Sequence, residues 1–332
     1  MKTTIYDVAE KAGVSISTVS KVMNDQQVGK KSKQKVLKVM QELNYRPSVL
    51  ASALTGKRTS TIGLLLPDLA NPFVAEMARR VEDRAHEFGF SLVICSTDLN
   101  PEKEERSVSL LRQKSVDGFI LASAFNNRRV IADLVDDNIP VLLLSESHPQ
   151  FAVNSINIDN IVGGYQVASH LVSLGHTRIA VIGEDATSSQ QRINGYKQAF
   201  QESGLTVHED LIAISDSSVE HAQRLTNELL NHPKKPTAII ACNDVLAIGA
   251  ILAAREIGLD IPKDLSITGF DNTLLSKSCD PPLTTVEQGL DKMCAQAVDL
   301  LIEEIEGKST SKQRILVLPQ LVIRKSTAFC QD

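Results

Sequence analysis

The sequence predicts an α/β protein, a three-helix N-terminal head followed by a two-lobed body of parallel sheets. Over the first 46 residues, apolar positions recur at helical spacing around single-glycine turns. From Thr61 onward, apolar runs bounded by turn residues alternate with amphipathic segments, as expected of strands buried between helices. The charge divides at the same place. Residues 1–58 hold nine Lys and two Arg against two Asp and two Glu, a net +7, while the remainder carries −12 within a total of −5.

The head begins TTIYDVAEKAGVSISTVSKVMND. Thr4 is placed to cap a first helix, with Asp7 reaching back as the acid of a capping box. Ile5, Val8, Ala9 and Ala12 share one face, and Gly13 ends the helix because a tight turn there demands the left-handed conformation. Ser15 caps a second helix, with Val14 and Val19 at staple spacing. Val19, Val22 and Met23 turn inward, leaving Ile16, Ser17, Thr18, Ser20 and Lys21 outside or near the helix start. A third helix, roughly Ser32 to Asn44, offers Val36, Leu37, Met40 and Leu43 to the core. Two short helices joined at a glycine, the second with small polar residues at its exposed N-terminus, predict a helix-turn-helix. That N-terminus offers N–H groups to phosphate and Ser, Thr and Lys side chains to base edges. A basic head on an acidic body implies a polyanion bound at one end only.

The join, RPSVLASALTGKRTS, carries Leu50 and Leu54 where linkers usually carry Gly and Ser. Residues 48–56 have the makings of a helix of about nine residues, capped by Ser48. That is shorter than the roughly 12–15 at which isolated helices become marginal in water. It is expected to form only when something packs its apolar side. Beyond it, TIGLLLP, FSLVICS, DGFILAS and IPVLLLS predict buried strands, with PFVAEMARRVEDRAHEFG and PEKEERSVSLLRQKS as intervening helices. The series resumes with TRIAVIG, TAIIACN and LSITGFD. Ligands of such sheets bind beyond the carboxyl ends of the strands.

Other classes are disfavoured. There is no apolar run of about 18 residues, so no membrane span is expected. Asp7 and Glu10 stand where a secretory signal needs an apolar core, so the chain is expected in the cytoplasm. The five cysteines are dispersed without a C-x-x-C pair, which predicts reduced thiols. The seven histidines include no H-E-x-x-H, so no metal site is expected. With no P-loop, no G-x-S-x-G and no paired catalytic carboxylates, neither an enzyme nor a cofactor is expected.

TIYDVAEKAGVSISTVSKVMN, followed by VLKVMQELNYRPSVLASAL, closely resembles the LacI/GalR repressors over about 55 residues in order. GHTRIAVIG, RINGY, CNDVLAIGA, ITGFDN and PPLTTVEQ continue in family order, so the resemblance spans the chain. It implies a helix-turn-helix over 1–46, a hinge helix or linker over 47–59, and a periplasmic-binding-protein-like body over 60–332. One lobe takes about 60–160 and 290–320, the other about 161–289 and 321–332. It implies base readout by Ile16, Ser17 and Lys21 and phosphate contacts by Thr18 and Ser20, with Thr4 and Asn24 also in the DNA-binding set. Leu54 is the residue implied to wedge into a central base step of the minor groove, paired with its copy in a dimer.

For the body, the resemblance places Asn71 and Phe73 at an effector cleft, with Phe73 available to stack on a sugar ring. Asn71 before Pro72 also suits a plain helix cap, as does Asn243 after its strand, although the family uses that Asn for ligand contact. Arg192 and Asp271 are suited to holding sugar hydroxyls by charge-assisted hydrogen bonds. Ser145, Asp159, Ser188 and Gln288 complete the expected set. Two departures stand out. A family position often occupied by Asp in sugar-responsive members is Ser145 here, and the chain has no Trp and no aromatic near SDSSVEH.

The expected function is a DNA-binding transcriptional regulator, a repressor, controlled by a small molecule such as a sugar or sugar derivative. Its partners would be a pseudo-palindromic double-stranded operator and a second copy of the chain. A dimer is expected over a tetramer, since no Leu-heptad tail follows LVIRKST. An alternative is a family regulator whose co-effector is a protein such as a phosphocarrier, docking at RRVEDRAHEFGF. A solute-binding protein fits the body but not the basic head.

Overall fold

In the computed structural model, residues 3–23, 27–45, 58–123, 125, 127–309 and 311–331 are described, and the chain divides into units Met1–Thr59 and Ser60–Asp332. In the first unit, α1 (Ile5–Ala12), α2 (Ile16–Met23) and α3 (Lys30–Glu42) enclose Val8, Ala9, Ala12, Val19, Val22, Val36 and Val39. Gly13 takes φ +64° and donates its N–H to the carbonyls of Ala9 and Glu10, closing α1 as its missing Cβ allows. α3 begins two residues before the expected Ser32. Its inward face is Val36 and Val39, with Met40 and Leu43 packed alongside. Leu37, expected in the core, is 48% exposed. One residue turns a helix by about 100°, and the step from Val36 to Leu37 carries the side chain off the buried stripe.

The second unit is built on two parallel sheets. The first has six strands in the order β2, β1, β3, β4, β5, β11. These are Ser91–Ser96, Thr61–Leu66, Gly118–Ala122, Val141–Leu144, Asn154–Ile158 and Arg314–Val317. On one face lie α4 (Pro72–Glu87) and α12 (Leu290–Ile305), whose Met77, Val81, Met293 and Val298 join Ile62, Leu64 and Ile120 in one core. On the other, α5 (Pro101–Gln113) and α6 (Arg128–Asp136) bury Leu111 and Ile131 against Phe119 and Leu143. β2, expected as a buried strand, is the edge of this sheet and half-exposed, because only β1 pairs with it.

The second sheet runs β7, β6, β8, β9, that is Ile212–Ser215, Ile179–Glu184, Ala238–Ala241 and Ser266–Thr268. It shares one core with α7 (Asn160–Ser173), α8 (Thr187–Glu202), α9 (Val219–Leu230) and α10 (Asp244–Glu256), and the short α11 (Leu274–Ser278) follows β9. α7 and α8 touch backbone to backbone: a Cβ on Gly195 would overlap the Ile161 carbonyl, and one on Gly164 the Arg192 carbonyl. The chain passes between the sheets three times: from β5 to α7, from β10 (Thr285–Glu287) to α12, and from β11 to β12 (Gln320–Val322). β10 and β12 pair antiparallel beside the second and third passages. The strands expected at TIGLLLP, DGFILAS, IPVLLLS, TRIAVIG, TAIIACN and LSITGFD all form; β5, β7, β10, β11 and β12 are strands beyond that expectation.

Candidate effector site and nucleic-acid interface

In the head, Thr4 caps α1 as expected. Its backbone N–H and hydroxyl donate to Asp7 Oδ2 at 2.7 and 2.8 Å, and these bonds hold the Asp7 carboxyl below its usual range. Ser15 accepts the Thr18 N–H at 3.2 Å, and its hydroxyl meets those of Ser17 (2.8 Å) and Thr18 (2.9 Å). Ile16, Ser17 and Lys21 are exposed while Thr18 and Ser20 are half-buried. A row of hydroxyls at an exposed helix N-terminus, with Lys21 one turn on, is thus built by local capping alone. Asn24, Leu54 and the stretch 46–57 lie outside the described residues.

In the body, the carboxyl ends of the two sheets carry the expected effector residues. Asn71 follows β1 and caps α4, its Oδ1 accepting the Phe73 N–H at 2.9 Å. Phe73 is only 8% exposed and belongs to the core beneath α4. It lies on the same helical ridge as Met77 and Val81 and presents no open stacking platform, contrary to expectation. Ser145, just after β4, sits at φ +58° with its N–H on the Ile156 carbonyl (2.8 Å). Its hydroxyl is buried and has no partner among the described residues. Asp159 caps α7 by accepting the Val162 N–H at 3.0 Å. Ser188 is half-buried in the first turn of α8.

The second sheet brings the charged members together. Glu184 closes β6, Asn243 follows β8 and Asp271 follows β9, three neighbouring strand ends. Asn243 accepts the Leu246 N–H at 2.8 Å as the cap of α10, while its Nδ2 donates to Glu184 Oε1 at 2.7 Å. Arg192, 9% exposed, sits over the Phe270 ring with its Cζ 3.6 Å from the centroid. Its Nε donates to Asn160 Oδ1 at 2.9 Å, its Nη1 to the Cys242 carbonyl, and Asp271 Oδ1 is 3.7 Å away. Gln288, just past β10, donates to the same Asp271 oxygen at 2.5 Å. Burial pushes the Asp271 carboxyl well above its usual range, and the Arg192 charge pulls against it.

Asn160, Glu184 and Phe270 therefore join the candidate set although none was singled out from the sequence; the adjacency of Asn160 to Asp159 and of Phe270 to Asp271 is the available signal. The assembled groups are hydrogen-bond donors and acceptors held by one another, an arrangement suited to grasping a polar molecule. A shallow depression of about 570 Å³ along α9 is lined by polar side chains of that helix and of Asn231, which follows it. Among the described residues no cluster of His, Cys, Asp or Glu suits a metal ion, and no helix is long and apolar enough to cross a membrane.

Comparison with known proteins matches this two-part plan. The family model described as bacterial regulatory proteins, lacI family, covers residues 4–48, and that of the periplasmic binding protein-like domain covers 168–327. The HTH-type transcriptional regulator DegA of Bacillus subtilis (strain 168) is 46% identical over 334 residues, 99% of each chain. This chain belongs to the lacI family of bacterial regulatory proteins. It is a transcriptional regulator of that family, with repressor-like relatives. Catabolite control protein A of Priestia megaterium is 35% identical over 98% of this chain and 100% of its own. Among solved structures, the lac repressor dimer bound to operator and the anti-inducer ONPF superposes with a TM-score of 0.89 at 32% identity, over 99% of this chain and 100% of that one. The CelR–cellobiose complex superposes at 0.75 with 28% identity, over 98% and 100%.

Proposed function

We propose that this protein represses transcription as a homodimer on a pseudo-palindromic operator, and that a small polar effector, a sugar or sugar derivative, controls it through the body. The observation that carries the effector half is the bonded group Asn160, Arg192, Asp271 and Gln288 beside the bonded pair Glu184 and Asn243, gathered at the carboxyl edge of the second sheet. Residues 1–46 act as the DNA-binding domain, 47–59 as the hinge, and 60–332 as the effector-binding and dimerisation body. Thr18 and Ser20 meet phosphates, Ile16, Ser17 and Lys21 meet bases, and Leu54 wedges into the central step. The effector prefers one arrangement of the lobes, and the short hinge helices respond to the resulting spacing. Coupling of this kind amounts typically to about 1–3 kcal/mol.

A protein co-effector docked on α4 would meet arginines already paired with surface acids, contacts weak enough to be exchanged. Arg79 pairs with Glu82 and Asp83, Arg80 with Glu76 and Asp291, and Arg84 with Glu87 and Asp299.

Thermal shifts with sugars, sugar phosphates, sugar acids and purines test the effector half. A ligand at a hundred times its Kd raises stability by about 2.7 kcal/mol. The shift should vanish in Arg192→Ala and Asp271→Ala; a shift that survives both places the ligand elsewhere. For the DNA half, Leu54→Ala should weaken operator binding far more than binding to random duplex, and operator affinity should fall steeply with salt as counterions are released.

A further inference from the structure

Asp271 sits in a conformation that effector contact does not explain. Its φ is +107° and that of Asn272 is +54°, two successive non-glycine residues in the left-handed region. Such backbone persists only where its surroundings over-determine it. Taking Asp271 as the effector contact proposed above, we propose that Asp244 and Arg324 form a two-sided clamp that holds the Asp271–Thr273 loop in this form and ties it to two of the three passages between the lobes. Both are positioning residues.

The inner jaw is Asp244, fully buried at the start of α10. Its Oδ2 accepts the Thr273 N–H at 2.7 Å and the Thr273 hydroxyl at 2.9 Å, and its Oδ1 accepts the Thr285 hydroxyl at 2.6 Å. Thr285 opens β10, and its Oγ1 in turn accepts the Asn272 N–H at 3.3 Å. Gly269 leaves this carboxylate its space, since a Cβ there would press on Asp244 Oδ1. One carboxylate thereby joins the loop that bears Asp271 to the strand that leads into the second passage.

The outer jaw is Arg324, which follows β12. Its Nη2 donates to Asn272 Oδ1, and its Nη1 donates to the Leu283 carbonyl at 2.7 Å and to Ser276 Oγ at 3.3 Å. Its backbone N–H reaches Thr284 Oγ1 at 3.0 Å. The planar fork spans the loop and the approach to β10 at once, which a lysine does not do. Since β10 and β12 pair antiparallel beside the passages, a change in lobe arrangement that displaces either strand pulls on both jaws. Displacement of Asp271 by a ligand is passed to the same strands.

Hydrogen exchange on the full-length, ligand-free protein tests the clamp without any effector. Arg324→Lys keeps the charge and removes the fork; Asp244→Asn keeps the volume and one acceptor. In each, exchange across 271–276 should rise about tenfold, the protection of roughly one hydrogen bond. Residues 284–287 and 320–322 should rise with it, while β6 and β8 keep their wild-type exchange. A rise confined to 271–276 overturns the tie to the passages. A rise that extends through β6 and β8 makes the two residues general supports of the fold and overturns the clamp, as does no rise at all. If Arg192→Ala and Asp271→Ala leave a ligand-induced thermal shift intact, the effector assignment fails alone, and the exchange pattern still judges the clamp.

Discussion

The two sheets of the body offer the same edge, the carboxyl ends of parallel strands, and furnish it differently. On the six-stranded side the residues are small or already engaged. Ser123 and Ser145 sit at φ +51° and +58°, and Asn71 and Asp159 spend their side-chain oxygens on the first turns of α4 and α7. On the four-stranded side the residues are charged and bonded to one another, Arg192 to Asn160 and Asp271, Glu184 to Asn243. Buried charges are tolerated only in satisfied networks, so the second lobe must be wired before any ligand arrives. A single buried hydroxyl without a partner, such as that of Ser145, is tolerable, and the four-stranded side carries one too, in Ser215 at the end of β7.

Removing one member of the wiring breaks this contrast most severely. Arg192→Ala strands Asp271 without its cation and should cost about 3–5 kcal/mol, read as a lower urea midpoint. A loss below about 1 kcal/mol would mean the second lobe is no more wired than the first.

Asp244 sharpens the contrast through pH. Burial pushes its carboxyl up to about 6, against an ordinary 3.8. A raised carboxyl binds its proton more tightly folded than unfolded, so its contribution to stability is greatest below the unfolded value and is lost as pH rises through the folded one. Relative to wild type, Asp244→Asn should therefore gain on the order of 3 kcal/mol between pH 4 and 7. Urea melts at several pH values measure this, and parallel curves would contradict the raised value.

Gly195→Ala forces α7 from α8, which carry Asn160 and Arg192, and should cost about 1–3 kcal/mol while abolishing the ligand shift. The smallest effect belongs to the first lobe. Ser145→Ala should leave thermal stability within about 1 kcal/mol of wild type, because a buried hydroxyl without a partner is removed, yet it should reduce the ligand shift. A large loss of stability would show that the hydroxyl is engaged after all.

What was legible in the sequence was local. Thr4 with Asp7, the Gly13 turn, Ser15 with Thr18, and Asn71 at α4 all join residues within four positions, where chain connectivity already enforces proximity. The alternation of apolar runs with amphipathic segments was equally legible, since burial on both faces leaves a strand few polar choices. Leu37 and Phe73 show the limit: apolar spacing put Leu37 in the core and the family resemblance offered Phe73 as a platform, but the helical phase and the depth of packing decided otherwise. By itself, then, the sequence determined the basic three-helix head, the parallel α/β body and most strand ends where polar residues collect. Only the tertiary structure decided that Arg192 meets Asn160 from 32 positions away, that Asn243 meets Glu184 from 59, and that Arg324 closes on Asn272 from 52. Partners so distant are set by which strands the sheet places side by side, and no local propensity encodes that.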